Sequence, residues 1–124
     1  MKLIPHTFRI FVRDLEEAKA FYRDKLDWGL SGDSSQYGYL VFEPGNITVV
    51  VERTDEKESE DEGGLLSRFT GLSLGVENLH TVHNELKDRG VVFTGGPEEQ
   101  SWGGLLAWIK DPDGNILTLI ETKE

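Results

Sequence analysis

The chain says nearly the same thing twice. Val12-Arg13-Asp14-Leu15 returns 64 positions later as Val76-Glu77-Asn78-Leu79, and each copy closes a strand and opens a helix. An internal repeat constrains architecture before any single residue does, because two copies of one unit must bury equivalent apolar faces. Before the first copy, Thr7-Phe8-Arg9-Ile10-Phe11-Val12 puts Phe8, Ile10 and Val12 on one face. Before the second, Leu72-Ser73-Leu74-Gly75-Val76 alternates in the same phase. Asp14 and Asn78 are good N-cap residues, and Glu17 is placed to complete a capping box with Asp14. The spacing predicts a helix over 15–26 that buries Leu15, Ala18, Phe21, Tyr22 and Leu26. A second helix over 79–89 offers Leu79, Val82 and Leu86 and stops at Gly90.

Short strand-like runs follow each helix: 28–31, 37–42 and 47–52 in the first copy, and 91–94, 105–110 and 116–122 in the second. The last hairpins are related as well, Glu43-Pro44-Gly45-Asn46 before one final strand and Asp111-Pro112-Asp113-Gly114-Asn115 before the other. The unit is therefore β-α-β-β-β, repeated. Module 1 is expected at about 1–53 and module 2 at about 65–124. The acidic stretch 54–64, with Asp55, Glu56, Glu58, Glu60, Asp61 and Glu62, reads as a solvated linker. One module leaves one face of its sheet bare, so two are expected to form a single α+β domain, a cupped mixed sheet of about eight strands with helices on the convex face.

Composition narrows the function. Across 124 residues, 23 acidic side chains face 13 basic ones, for a formal charge of −10. Such a surface repels phosphate backbones and anionic headgroups, so neither nucleic acid nor a membrane surface is the expected partner. The absence of cysteine excludes disulfides, thiolate metal sites and thiol nucleophiles. No apolar run nears the ~20 residues that span a bilayer, and the N-terminus shows no cleavable leader, so a cytoplasmic protein is expected.

The duplicated modules, the strands running into Val-x-Asp-Leu and its echo, Phe21-Tyr22 in the first helix and the Asp111-Pro112-Asp113-Gly114-Asn115 turn together resemble the vicinal oxygen chelate superfamily. That group includes glyoxalase I, extradiol dioxygenases, fosfomycin-resistance enzymes and bleomycin-resistance proteins. The resemblance covers essentially the whole chain and implies their fold. It does not by itself imply catalysis, because metal enzymes and metal-free binding proteins share this scaffold. In catalytic members a divalent ion is held by His and Glu side chains pointing into the cup, as a Lewis acid for vicinal substrate oxygens. The positions the resemblance assigns to those ligands are Thr7, Gly71, Thr118 and, by the same hairpin count, Val49. None supplies a metal donor of the required type.

His6 lies one residue from such a position, but a one-residue offset in a strand reverses the face and sends it to the helix side. Its companions in an alternative metal site would be Glu52 and Glu121, which by the hairpin counts also fall in the helix-side phase; a bulge near the strand start is what could re-aim His6. His80 and His83, spaced i and i+3 on one face of the second helix, could suit a surface metal but face outward and read as a solvated or partly packed pair. Gly71-Leu72-Ser73-Leu74-Gly75 matches the nucleophile-elbow pattern, yet Ser73 lies mid-strand rather than at a strand-to-helix turn, and the small residues there read instead as leaving room.

The cup side of the first strand carries Thr7, Arg9, Phe11 and Arg13. Tyr37 and Tyr39 share one phase of a facing strand, with Tyr39 taken forward. Trp108 and Thr118 come from the last hairpin, and Trp102 from a Trp-Gly segment resembling that of bleomycin-resistance proteins. Aromatic walls with a few hydroxyls and an arginine suit a flat or amphipathic small molecule. Arg9 requires an answering group, either a carboxylate such as Glu52 or Glu121 or a ligand anion. The expectation is a metal-independent binder of a small neutral or cationic molecule, working by sequestration, with no cofactor. Its ligand-binding residues are Thr7, Arg9, Phe11, Tyr39, Trp102, Trp108 and Thr118, and the resemblance implies a homodimer. The alternatives are a glyoxalase-type lyase or isomerase, or a dioxygenase, using a divalent metal ion on His6, Glu52 and Glu121, and a module whose concave face serves dimerisation alone.

Overall fold

The computed structural model describes residues 1–55 and 64–122, so most of the expected acidic linker at 54–64 lies outside the described residues. Two compact units are present, Met1–Leu66 and Ser67–Glu124.

In the first unit, β1 (Thr7–Val12) leads into α1 (Leu15–Lys19), which continues as a π-helical segment, Ala20–Lys25. Then come β2 (Leu30–Ser34), a 3-10 turn (Ser35–Tyr37), β3 (Tyr39–Phe42) and β4 (Thr48–Arg53). The sheet order is β1-β4-β3-β2, parallel between β1 and β4 and antiparallel elsewhere. Asp14 caps the helix by accepting the N–H groups of Glu16 and Glu17 at 2.9 and 3.1 Å. The helix reaches the expected length, but its second half is wound more widely. That turn sends both Phe21 and its neighbour Tyr22 into the core. Phe21 meets Tyr22 edge-on with centroids 4.8 Å apart, and Tyr22 stacks on Trp28 at 5.1 Å. Burial of each such ring contributes about 1.5–3 kcal/mol. Asp27 ends the helix with φ 59, a left-handed residue in the role glycine usually fills. The expected strand 37–42 begins only at Tyr39, because Tyr37 belongs to the 3-10 turn that Gly38 closes at φ 90.

The second unit runs β5 (Phe69–Val76), α2 (Leu79–Asp88), β6 (Val92–Phe93), β7 (Glu98–Glu99), β8 (Leu105–Lys110) and β9 (Ile116–Glu121), in the order β5-β9-β8-β6 with β7 also on β8. The β7–β8 hairpin exceeds the expected β-α-β-β-β unit by one short strand. Asn78 caps α2 through Thr81 N–H at 3.1 Å, and Gly90 follows the helix at φ 85. Leu79 and Leu86 of α2 are buried, as are Ala107, Ile109, Leu117 and Leu119 on the sheet face that α2 covers. The Asp111–Asn115 turn is a closed network. Asp111 accepts from the N–H groups of Asp113 and Asn115 and from the Asn115 carboxamide, whose oxygen accepts Arg68 N–H at 3.1 Å and pins the turn to the entry of β5.

Among the described residues no helix is long and apolar enough to cross a membrane.

Candidate functional site

Each unit has a helix on one sheet face, and the expected site residues other than Trp102 lie on the other. In unit 1 the alternation of β1 buries Ile10 and Val12 beneath α1 and leaves Thr7, Arg9 and Phe11 opposite. Strand pairing then determines which residues join them. Tyr39 of β3 pairs with Glu52 of β4, which pairs with Phe11 of β1. In the next row Val41 pairs with Val50, and Val50 with Arg9. These side chains share one face. Thr7, Arg9, Phe11 and Tyr39 therefore come together as expected, with Glu52 among them.

Glu52 corrects the sequence reading, which put it on the helix side. The source of the error is one residue of hairpin length. Thr118 of β9 pairs with Ser73 of β5, and Ser73 is the repeat equivalent of Arg9, so the counterpart of Thr118 is the partner of Arg9, which is Val50 rather than Val49. Val49 is fully buried on the helix side. Counting from Gly45 missed this because the first hairpin places one more residue than the second between its Asn and the paired register. In a strand that single residue exchanges the faces.

Glu52 answers Arg9. The Arg9 Nε–H donates to Glu52 Oε2 at 2.7 Å, with side chains 60% and 25% exposed, and the guanidinium lies over the Phe11 ring at 5.1 Å from its centroid. Hydrogen bonding to Glu52, followed by the charge of Glu52, raises the Arg9 pKa further. The guanidinium is thus neutralised locally and held on an aromatic base.

In unit 2, Trp108 pairs with Thr118, which pairs with Ser73, on the face away from α2. Thr118 is 6% exposed, and Trp108 is half-buried. The small residues of β5 do not all leave room there. A Cβ on Gly75 would lie 2.9 Å from the methyl of Thr122, which occupies that space, whereas Gly71, at an irregularity in the β5–β9 register with φ 76, has open space beside it. Trp102 stands apart in the tight turn between β7 and β8, closed by Gly103 N–H to Gln100 C=O at 2.9 Å. It is 64% exposed, and its ring occupies the space a Cβ on Gly104 would need. Only glycine permits that ring position.

The residues at the family's metal-ligand positions are Thr7 and Val50 in unit 1 and Gly71 and Thr118 in unit 2, and none of the four carries the imidazole or carboxylate that such a position uses. Each member of the alternative trio has a partner within its own unit. His6 is exposed with its Nδ1 on the Thr7 hydroxyl, Glu52 binds Arg9, and Glu121 accepts Leu79 N–H at 3.1 Å from the first turn of α2. Glu121 thus takes the helix side, as expected, and Glu52 does not. Among the described residues no three His, Asp or Glu side chains form a metal-binding group. His83 packs edge-on against Phe93 at 4.5 Å.

Sequence reasoning missed a hollow of about 330 Å³ in unit 1, lined by Arg13, Asp14, Leu15, Glu16, Ser35 and Arg53. Arg13, expected on the strand face, follows the end of β1 and lines this hollow instead. Its carboxylates are committed locally, since Asp14 caps α1 and Glu16 binds Lys19.

The family model of the Glyoxalase/Bleomycin resistance protein/Dioxygenase superfamily matches residues 3–119, and the chain belongs to that superfamily. A probable lactoylglutathione lyase from Synechocystis is 29% identical, the match covering 94% of this chain and 93% of the relative. A bleomycin resistance protein from Klebsiella pneumoniae is 27% identical over 90% and 86%. Among solved structures, a superfamily member from Sphaerobacter thermophilus has a TM-score of 0.80 at 29% identity, covering 98% of each chain. TnmS3, an antibiotic binding protein from Streptomyces sp. CB03234, has 0.75 at 27%, also covering 98% of each. The fold is that of the superfamily.

Proposed function

We propose that this protein binds a small neutral or cationic molecule on the helix-free faces of its sheets, and does so without a metal ion. The observation that carries the reading is the face of unit 1, where Arg9, its guanidinium neutralised by Glu52, shares one sheet face with Thr7, Phe11 and Tyr39. In unit 2 the half-buried Trp108 shares the helix-free face with the buried Thr118, and Trp102 adds an exposed ring. Aromatic surface with a few fixed polar groups is what holds a flat ligand. Lewis-acid chemistry needs about three fixed donors and an open position, whereas threonine, valine and glycine stand at the corresponding places here. The likeness to a bleomycin resistance protein and to an antibiotic binding protein supports binding as the task, with sequestration as its outcome.

The test joins elemental analysis with calorimetry. Protein purified without chelator is assayed for bound metal. It is then titrated with a panel of neutral and cationic aromatic drugs, metal-free bleomycin among them, before and after dialysis against EDTA. Binding of at least one compound, unchanged by EDTA, is expected. A stoichiometric divalent ion that is lost on His6→Ala and required for binding overturns the reading, as does a panel with no binder.

A further inference from the structure

Resting on that reading, the geometry points to the class of ligand. We infer that the Arg9–Glu52 pair selects an aromatic molecule carrying a neutral oxygen acceptor, a carbonyl or amide, over the corresponding carboxylate. Arg9 binds Glu52 through Nε at 2.7 Å, so the contact uses one edge of the guanidinium. The Nη edge has no hydrogen-bond partner among the described residues. Phe11 lies beneath the group, and Tyr39 and Phe11 flank Glu52 on its two sides in one row across β3, β4 and β1.

Three consequences follow from this arrangement. First, the guanidinium is oriented in advance, so a ligand oxygen need not immobilise a long side chain to reach it. Second, the site offers N–H donors without net positive charge. A carboxylate drawn to the Nη edge meets the Glu52 carboxylate held on the same group, and it approaches through the field of a chain with charge −10. A carbonyl oxygen accepts the same hydrogen bonds and carries no charge to be repelled. Third, the rings of Phe11 and Tyr39 offer apolar surface on the same face as those donors, so a ring bearing the acceptor is accommodated with it. Glu52 acts here as a positioning residue: it holds and neutralises Arg9, while Arg9 makes the contact.

The experiment compares 2-naphthamide with 2-naphthoate, which share a ring and differ in charge, by calorimetry. The Arg9 Nε–H resonance is followed by NMR as the local reporter. Wild type is expected to bind the amide about tenfold more tightly than the carboxylate. Glu52→Gln leaves Arg9 uncompensated and is expected to reverse the order, because the freed guanidinium can take a carboxylate in two parallel hydrogen bonds. Arg9→Gln is expected to bring the two affinities to within about twofold. Binding of both probes with a ratio that Glu52→Gln leaves unchanged overturns this inference and leaves the binding reading intact, as does a wild-type preference for the carboxylate. Absence of binding of 2-naphthamide to wild type also overturns this inference, while the binding reading itself stands or falls on the drug panel described above. Circular dichroism confirms that each variant is folded.

Discussion

Asn115 is 1% exposed and uses both ends of its carboxamide. Its oxygen accepts Arg68 N–H and its nitrogen donates to Asp111 Oδ2 at 2.9 Å. The side chain is thus the link between the last hairpin and the entry to β5. Asn115→Ala leaves the buried Asp111 Oδ2 without this donor and the part-buried Arg68 N–H without its side-chain acceptor. Such losses cost more than the bonds contribute when made, because desolvation is no longer compensated. A destabilisation of about 2–3 kcal/mol is expected in urea denaturation at neutral pH, with little change in slope. A cost under about 0.5 kcal/mol, the level of an ordinary surface substitution, would show that solvent reaches the turn. The motif at 111–115 therefore does more than reverse the chain: it secures β9, which carries Thr118, against β5.

At the scale of elements, α2 and β6 meet through His83 and Phe93. Loss of water around the His83 imidazole lowers its pKa from the ordinary histidine value, with smaller contributions from Lys87 and His80 on the same helix. The folded form therefore resists a proton that the unfolded chain accepts. The stability this confers is fully present above about pH 6.5, the unfolded value, and is lost as pH falls through the lower folded value. His83→Gln is expected to flatten that part of the stability curve, and Phe93→Ala to move the His83 NMR titration midpoint upward. A midpoint unmoved by Phe93→Ala would assign the shift to the two cationic neighbours instead. The presence of this helix was legible in the sequence, since the Asn78 cap, the Leu79 and Leu86 spacing and the Gly90 stop are all local signals. The π-helical half of the first helix was not, because it arises from packing Phe21 and Tyr22 together, a tertiary demand that overrides helical period. The pairing of β7 with β8 was equally hidden, as two glutamates give no strand signal. In the candidate site the repeat phase placed Thr7, Arg9 and Phe11 on the face opposite α1. It failed for β4, where register depended on a hairpin count and only strand pairing shows Glu52 beside Arg9.

At the scale of the whole chain, charge acts at longer range than any of these contacts. With 23 acidic against 13 basic residues, carboxylates outnumber the cations able to pair with them, so pairs such as Arg9–Glu52 and Lys19–Asp33 neutralise only part of the acidic charge. The remaining field extends about 10 Å at an ionic strength near 0.1 M and shortens as salt is added. It favours approach of cations, is indifferent to neutral molecules and opposes anions, whereas the donors of Arg9 are fixed by short-range geometry that salt screens little. Steering and recognition are therefore separable by ionic strength. In stopped-flow fluorescence, association of 2-naphthylmethylammonium is expected to slow severalfold between about 20 and 300 mM salt, while 2-naphthamide keeps its rate. Equal salt dependence for the two probes would mean that the net charge does not reach the binding face, and that local groups alone determine which ligands arrive.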